Sequence, residues 1–289
     1  MKILVLGKSG MLGHVVYNYF SEQGMEVIGT SRKGTGIIYD AFKKISDLEL
    51  IIKQERPDVV INCIGILNKD AENNKELAVK LNSLLPHYCD GLSSKYNFKF
   101  IHVSTDCVYE GTKGNYDEFA LPDASSFYGR SKALGEIINN KNVTLRTSII
   151  GPDINKDGIG LFKWFMNQTG QINGFDKVVW TGVTTIELTK AMEKAIQNNL
   201  TGLHHVVNNH SISKYELLKI IKEVFEKDII ISKEEITISE KTLIKTKCSF
   251  DFEIPTYRKM IEEMKEWIIN HSELYPDLIN QRKQGVGKK

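Results

Sequence analysis

A short apolar run, Ile3-Leu4-Val5-Leu6, passes directly into Gly7-Lys8-Ser9-Gly10-Met11-Leu12-Gly13, and an apolar helical period continues over residues 12–23. Strand, glycine-rich turn and helix in that order leave few folds open. Small residues turn the chain tightly, let backbone approach a pyrophosphate, and aim the N–H groups of a helix N-terminus at it. The G-x-x-G-x-x-G spacing departs from G-x-G-x-x-G but meets the same requirements, so Gly7, Ser9, Gly10, Met11, Leu12 and Gly13 are read as a dinucleotide cradle rather than a purely structural turn. Downstream, strand-length runs at 26–30, 59–62, 100–104 and 144–147 alternate with helical periods at 45–55, 77–96 and 126–139. That alternation predicts a parallel sheet with helices on both faces. The fold class expected is α/β: a Rossmann-type doubly wound parallel sheet over residues 1–150, then a smaller C-terminal α/β substrate domain over 151–289, with some exchange of chain between them. Gly151-Pro152 marks the break. Beyond it, helices are expected at 161–168, 185–198, 214–225 and 257–270, and the charged residues 232–252 read as loops or an edge segment.

Composition narrows the function. With 38 Lys+Arg against 36 Asp+Glu, the net charge of +2 provides no field for nucleic acid. The basic cluster at 282–289 reads as a solvated tail. Cys63, Cys89, Cys107 and Cys248 have neither metal-ligand spacing nor the density of a disulfide scaffold. His204, His205 and His210 show no metal-ligand pattern either, so no metal is expected. No window approaches the ~18 apolar residues of a membrane helix, and the apolar run Ile3 to Leu6 leads into the glycine motif rather than a cleavage site. The expectation is a cytoplasmic protein with reduced thiols.

At the tip of the second strand, a carboxylate would bond the free 2′-hydroxyl of NAD. This chain has Ser31-Arg32-Lys33 there. Hydroxyl and guanidinium groups suit a 2′-phosphate, which favours NADPH over NADH; the alternative is a solvated turn. Asp40 is a candidate for the adenine amino group and equally for a turn-forming Asp.

Tyr128 and Lys132 form Y-x-x-x-K, and i,i+4 spacing puts both on one helical face. A free phenol has a pKa of about 10, and an ammonium one turn away favours its ionised form, making the Tyr usable as an acid or base near neutrality. Upstream lies Ser104-Thr105-Asp106-Cys107-Val108-Tyr109; the helix itself reads Phe127-Tyr128-Gly129-Arg130-Ser131-Lys132-Ala133-Leu134-Gly135-Glu136; and Asn62-Cys63-Ile64-Gly65 closes the fourth strand. Together with the glycine loop, these motifs resemble the extended short-chain dehydrogenase/reductase superfamily across essentially the whole chain. Within it, S-T-D-x-V-Y followed by Y-G-x-S-K-x-x-G-E is most similar to the dTDP-4-dehydrorhamnose reductase group.

The resemblance implies a catalytic triad of Thr105, Tyr128 and Lys132. Tyr128 would protonate the C4 oxygen of a 4-keto nucleotide-sugar as hydride reaches C4, Thr105 would hydrogen-bond that oxygen, and Lys132 would hold the nicotinamide ribose and lower the Tyr128 pKa. A placed donor and a matched acid act most strongly on the alkoxide that forms in the transition state. Cys63, Ile64 and Gly65 would line the cofactor, Asn82 would support the site, and a homodimer is implied. Asp106, Tyr109, and Asn68 or Lys69 are expected at the sugar, and Trp180 at the nucleotide. Trp164 is expected in the core, and Arg146 either at the cofactor or in a structural ion pair.

Two alternatives stay open. GDP-fucose synthase, a 3,5-epimerase and 4-reductase, carries S-S-C at the same strand end and uses that Cys as a base together with a His. Cys107 stands there, but no His occurs between His102 and His204. The regulatory subunit of methionine adenosyltransferase is similar in fold, binds NADP and acts through protein contact. A 4,6-dehydratase would need T-D-E where this chain has Thr105-Asp106-Cys107.

Overall fold

The computed structural model describes residues 1–34, 36–155 and 157–279, so the basic cluster at 282–289 lies outside the described residues. The first half runs β1 (Lys2–Leu6), α1 (Gly13–Glu22), β2 (Glu26–Ser31), β3 (Ile37–Ile38), α2 (Asp47–Glu55), β4 (Val59–Asn62), α3 (Asn68–Asn73), α4 (Lys75–Ala78), α5 (Leu85–Tyr96), β5 (Lys99–Thr105), α6 (Phe127–Ala133), β6 (Val143–Thr147) and β7 (Ile149–Ile150). The second runs α7 (Leu161–Met166), β8 (Gln171–Phe175), β9 (Val178–Trp180), β10 (Val183–Thr184), α8 (Thr185–Gln197), β11 (Gly202–His205), β12 (Ile212–Ser213), α9 (Lys214–Phe225), β13 (Ile230–Glu234), β14 (Ser239–Glu240) and α10 (Tyr257–Asn270).

A seven-stranded sheet in the order β11-β6-β5-β4-β1-β2-β3 dominates, and all its pairings are parallel. The expected doubly wound α/β architecture is therefore present. Alternation along β1 shows how one strand serves two layers. Ile3 and Val5 pack into the core shared with Val15, Val16 and Phe20 of α1, while Leu4 and Leu6 join Leu48, Ile52 and Leu92 on the opposite face. Chain order reverses between β1 and β4, and the crevice at the carboxyl ends of these strands is where such sheets bind ligands.

The second half is not a separate body. Its β11 extends the large sheet beside β6, and Leu217 and Ile221 of α9 with Met260 and Met264 of α10 share one core with the first half. Three small sheets, β10-β7, β12-β9-β14 and β13-β8, complete it. Thus the segment 232–252, read as loops or an edge, contributes short paired strands. Helix starts obey their caps: Thr184 accepts from the Glu187 amide at 3.2 Å and Ser213 from the Glu216 amide at 3.1 Å.

Two helices differ from expectation. The stretch 77–96 is helical throughout but changes to π winding over Val79–Leu84, which turns Asn82 inward. The helix expected over 126–139 ends at Ala133, because tertiary partners claim Gly135 and Glu136. A Cβ on Gly135 would lie 1.9 Å from the Asn82 carbonyl oxygen, and the Glu136 carboxylate is drawn to Arg146 at 2.8 and 2.6 Å and to the Ser104 hydroxyl at 2.6 Å. These contacts override the helical period.

Candidate active site

The glycine loop crosses the end of β1 beside β4. Gly7 has φ +82°, and a Cβ there would sit 2.9 Å from Ile64 Cγ1. A Cβ on Gly13 would fall 2.0 Å from the Gly7 carbonyl oxygen, so only glycine lets α1 begin against the loop. The Gly10 amide bonds the Gly7 carbonyl at 3.0 Å, whereas no hydrogen bond among the described residues uses the amides of Met11, Leu12 or Gly13. Unused donors at the N-terminus of a ten-residue helix suit a pyrophosphate. Leu12 and Gly13 are buried and offer backbone alone, while Ser9 is exposed. Across the crevice, Cys63 and Ile64 are half-buried and Gly65 is exposed. Burial pushes the Cys63 thiol up to about 12.

At the tip of β2, Arg32 and Lys33 are exposed, but Ser31 is buried and donates its hydroxyl to the Lys33 carbonyl at 2.8 Å. That hydroxyl shapes the turn rather than offering itself as a donor to a phosphate. Asp40 takes the turn-forming option, its Oδ1 accepting from the amides of Phe42 at 3.1 Å and Lys43 at 3.3 Å.

The catalytic candidates meet through one close backbone approach. A Cβ on Gly129 would lie 2.1 Å from the Cys107 carbonyl oxygen. Glycine at this point lets α6 rest directly on the 3₁₀ turn Asp106–Val108 that ends β5. The first turn of α6 is doubly capped: Ser126 Oγ accepts from the Gly129 amide at 3.1 Å, and Glu72 of α3 accepts from the amides of Phe127 and Tyr128 at 2.6 and 3.2 Å. Tyr128 is thereby brought beside Thr105, close enough for the threonine hydroxyl to act on its phenol. Thr105 Oγ1 also accepts from the Cys107 amide and donates to Asp106 Oδ1, both at 3.1 Å. A cavity of about 300 Å³ opens at the phenol, bordered by Asn68, Lys69, Glu72, Cys107, Ser126 and Lys241.

Electrostatics differ from the expectation drawn from Y-x-x-x-K. Burial pushes the Tyr128 phenol well above its usual range, the Cys107 thiol and Asp106 carboxyl add to this, and only the Thr105 hydrogen bond opposes it. Lys132 does not lower it. Its Nζ donates to the Val103 carbonyl at 2.7 Å, and desolvation brings its own pKa down to about 8. Here desolvation of the phenol outweighs an ammonium already turned toward a carbonyl. Cys107 is pushed up to about 12, first by burial and then by Asp106. Burial raises the Asp106 carboxyl as well, against the pull of Lys214, Thr105, Ser148 and Cys107.

Several expected contacts prove to be supports. Asn82 is fully buried: its Oδ1 accepts from the Ile66 amide and its Nδ2 donates to the Ile66 carbonyl and Ser131 Oγ, each at 3.0 Å. It pins the loop after β4 to α6 and has nothing left for a cofactor. Tyr109 is also fully buried, receiving Arg146 Nη1 at 2.6 Å and donating to the Ala120 carbonyl at 2.9 Å, so it cannot touch a sugar. Arg146 takes the ion-pair option with Glu136 and is 2% exposed. Trp180 is 3% exposed and lies beneath Lys214 Nζ at 4.5 Å, so it does not present its ring to a nucleotide. Trp164, expected in the core, is 41% exposed: α7 turns Phe162 and Phe165 inward instead. Asn68 and Asp106 stay at the cleft. Glu72 and Lys241 border the cavity, and Ser148 and Lys214 act on Asp106, from distant segments with no local motif to announce them; Gly129, within the motif, carried the one local signal that could have been used.

A family model described as RmlD substrate binding domain matches residues 1–265. The chain belongs to this family. Among curated proteins, the RmlD-family chain is 27% identical over 259 residues to a probable low-salt glycan biosynthesis reductase of Haloferax volcanii, covering 82% of this chain and 84% of that protein. It is 24% identical over 249 residues to methionine adenosyltransferase 2 subunit beta of Xenopus laevis, covering 78% of this chain and 72% of that protein. A dTDP-4-dehydrorhamnose reductase of Bacillus anthracis, solved in complex with NADP, superposes with a TM-score of 0.80 at 21% identity over 92% of this chain and 98% of that one. At that identity it shows the fold alone. No helix among the described residues is long and apolar enough to cross a membrane.

Proposed function

We propose that this RmlD-family chain reduces the 4-keto group of a nucleotide-linked 6-deoxy sugar with NADPH, in the synthesis of surface polysaccharide precursors. The observation that carries this reading is the placing of Tyr128 beside Thr105, with the phenol lining a cavity of about 300 Å³. The cradle at Gly7, Ser9, Gly10, Met11, Leu12 and Gly13, with Ile64 and Gly65 opposite, fits a dinucleotide, because its backbone donors are unused and its glycines keep side chains away. When bound, the reduced nicotinamide supplies hydride to C4. Tyr128, held protonated by burial, gives its hydroxyl proton to the C4 oxygen as charge grows there; burial makes the phenol a weaker acid, so the transfer is driven by the alkoxide forming at C4, which is the stronger base. Thr105 donates a hydrogen bond to the same oxygen once it turns from Asp106. Lys132, titrating at about 8, is suited to restoring the phenol proton and to bonding the nicotinamide ribose. Exposed Arg32 gives the adenosine 2′-phosphate a guanidinium. A cytoplasmic homodimer goes with this reading.

Epimerisation through Cys107 is disfavoured, since a thiol pushed up to about 12 is scarcely ionised at neutral pH. The similarity to methionine adenosyltransferase 2 subunit beta favours a second reading, an NADP-binding chain that acts through protein contact. Single-turnover oxidation of NADPH by a panel of 4-keto sugar nucleotides separates the two. Turnover supports the reductase; tight NADPH binding with no turnover across the panel supports the regulatory role. Deuterium appearing at C3 or C5 of the product in D2O would reinstate the epimerase.

A further inference from the structure

Burial lowers the pKa of Lys99, Lys132, Lys214 and Lys227. Three of them are compensated: Lys99 donates to the Lys141 carbonyl at 2.7 Å, Lys132 to that of Val103 at 2.7 Å, and Lys227 to that of Met166 at 2.8 Å. Lys214 makes no hydrogen bond or ion pair with any described residue. It opens α9, and the register of β12 on β9, Ile212 with Trp180, sets its ammonium 4.5 Å over the Trp180 ring. The same ring packs against Tyr257, centroids 5.7 Å apart. The carboxyl nearest in effect to Lys214 is that of Asp106, whose neighbour Cys107 borders the Tyr128 cavity. Asp106 does not serve as its partner, because that carboxyl accepts from Thr105 and makes no ion pair with Lys214. If packing on Trp180 were the whole role, an uncharged side chain would fill it without desolvating an ammonium. A half-buried cation with free donors beside the catalytic turn is built to meet an anion.

We propose that Lys214, seated on Trp180, is a specificity-determining residue that binds an anionic oxygen of the nucleotide-sugar on the side of the cleft away from the cofactor cradle. This rests on the proposed reading that the chain takes a nucleotide-sugar. A lysine is a compact point charge with rotating donors, which matches either a diphosphate oxygen or a carboxylate on the sugar.

Titrating dTDP, UDP, GDP and CDP, and UDP-glucuronate against UDP-glucose, onto the NADPH-loaded protein and its K214M and K214R variants tests it. NADPH affinity, equal in all three, certifies the fold. Diphosphate binding weakened about tenfold or more in K214M, as for loss of one charge-assisted hydrogen bond, and largely restored in K214R, supports a diphosphate contact. A preference for UDP-glucuronate over UDP-glucose that vanishes in K214M supports a carboxylate contact instead. Equal affinities of wild type and K214M for every probe, or no binding of any probe by wild type, overturn the proposal. Turnover of 4-keto sugars is measured separately, so absence of reduction alongside a K214M binding defect removes the reductase reading and leaves the anion site standing.

Discussion

On the Rossmann wall of the cleft, Thr105 is tied to Cys107, the Tyr128 amide to Glu72 and Lys132 to Val103, and α6 is capped by both Ser126 and Glu72. On the C-terminal wall, Lys214 opens α9 directly after the two-residue β12, Trp180 ends the three-residue β9, and the ammonium is left without a hydrogen-bond acceptor among the described residues. The first wall holds its groups in one geometry, as chemistry at a single atom requires. The second leaves a charge to be satisfied by whatever enters, as selection among substrates requires. Damage to the first should therefore appear in kcat, and damage to the second in binding.

Tyr128→Phe gives the largest expected effect: the single-turnover rate of NADPH oxidation should fall by about 10²- to 10⁴-fold, the usual worth of a positioned general acid, with NADPH affinity unchanged. Wild-type turnover in that variant would break the contrast at its root. Asn82→Ala should cost about 2–3 kcal/mol in denaturant unfolding, because it strands the Ile66 amide and carbonyl and Ser131 Oγ in the interior. It should also lower kcat without a matching rise in KM, and a silent Asn82→Ala would mean the loop after β4 is held by other contacts. Arg32→Ala should weaken NADPH by about tenfold relative to NADH, one charge-assisted contact; an unchanged ratio would remove the 2′-phosphate assignment.

The smallest effect is in pH. Lys132 and Lys214 are both brought down to about 8, so the charged forms on both walls prevail below that value and disappear above it. The kcat/KM of wild type should fall as pH rises through about 8, and in K214M the fall belonging to Lys132 should remain. Stability runs the other way. A folded pKa of about 8 for Lys214 against an ordinary 10.5 means that the unfolded chain binds more protons in that window, so wild type should gain stability relative to K214M between those pH values. Chemical denaturation across the range reads this directly, and parallel curves would show that the Lys214 charge is not desolvated.

Most of the Rossmann wall was legible because its signals are local. The glycine loop, the strand end at Thr105 and the i,i+4 pair on α6 each occupy a few consecutive residues. What was misread depends on long-range partners. Tyr109, beside the catalytic turn in sequence, is turned inward by Arg146. Trp180 is roofed by a lysine 34 positions later through the pairing of β12 with β9. The helix from Ser126 stops early because Glu136 answers Arg146 on β6.

Period and turn chemistry, carried by neighbouring residues, were enough by themselves to specify an alternating α/β chain, a glycine-rich turn at the end of β1, and a Tyr and Lys on one helical face. Burial decided the rest. Whether a phenol titrates high or low, whether a tyrosine faces a ligand or an arginine, and whether a lysine is left without an acceptor all depend on which distant groups displace water from it. That displacement exists only once the sheet, its helices and the short C-terminal strands have closed around one another.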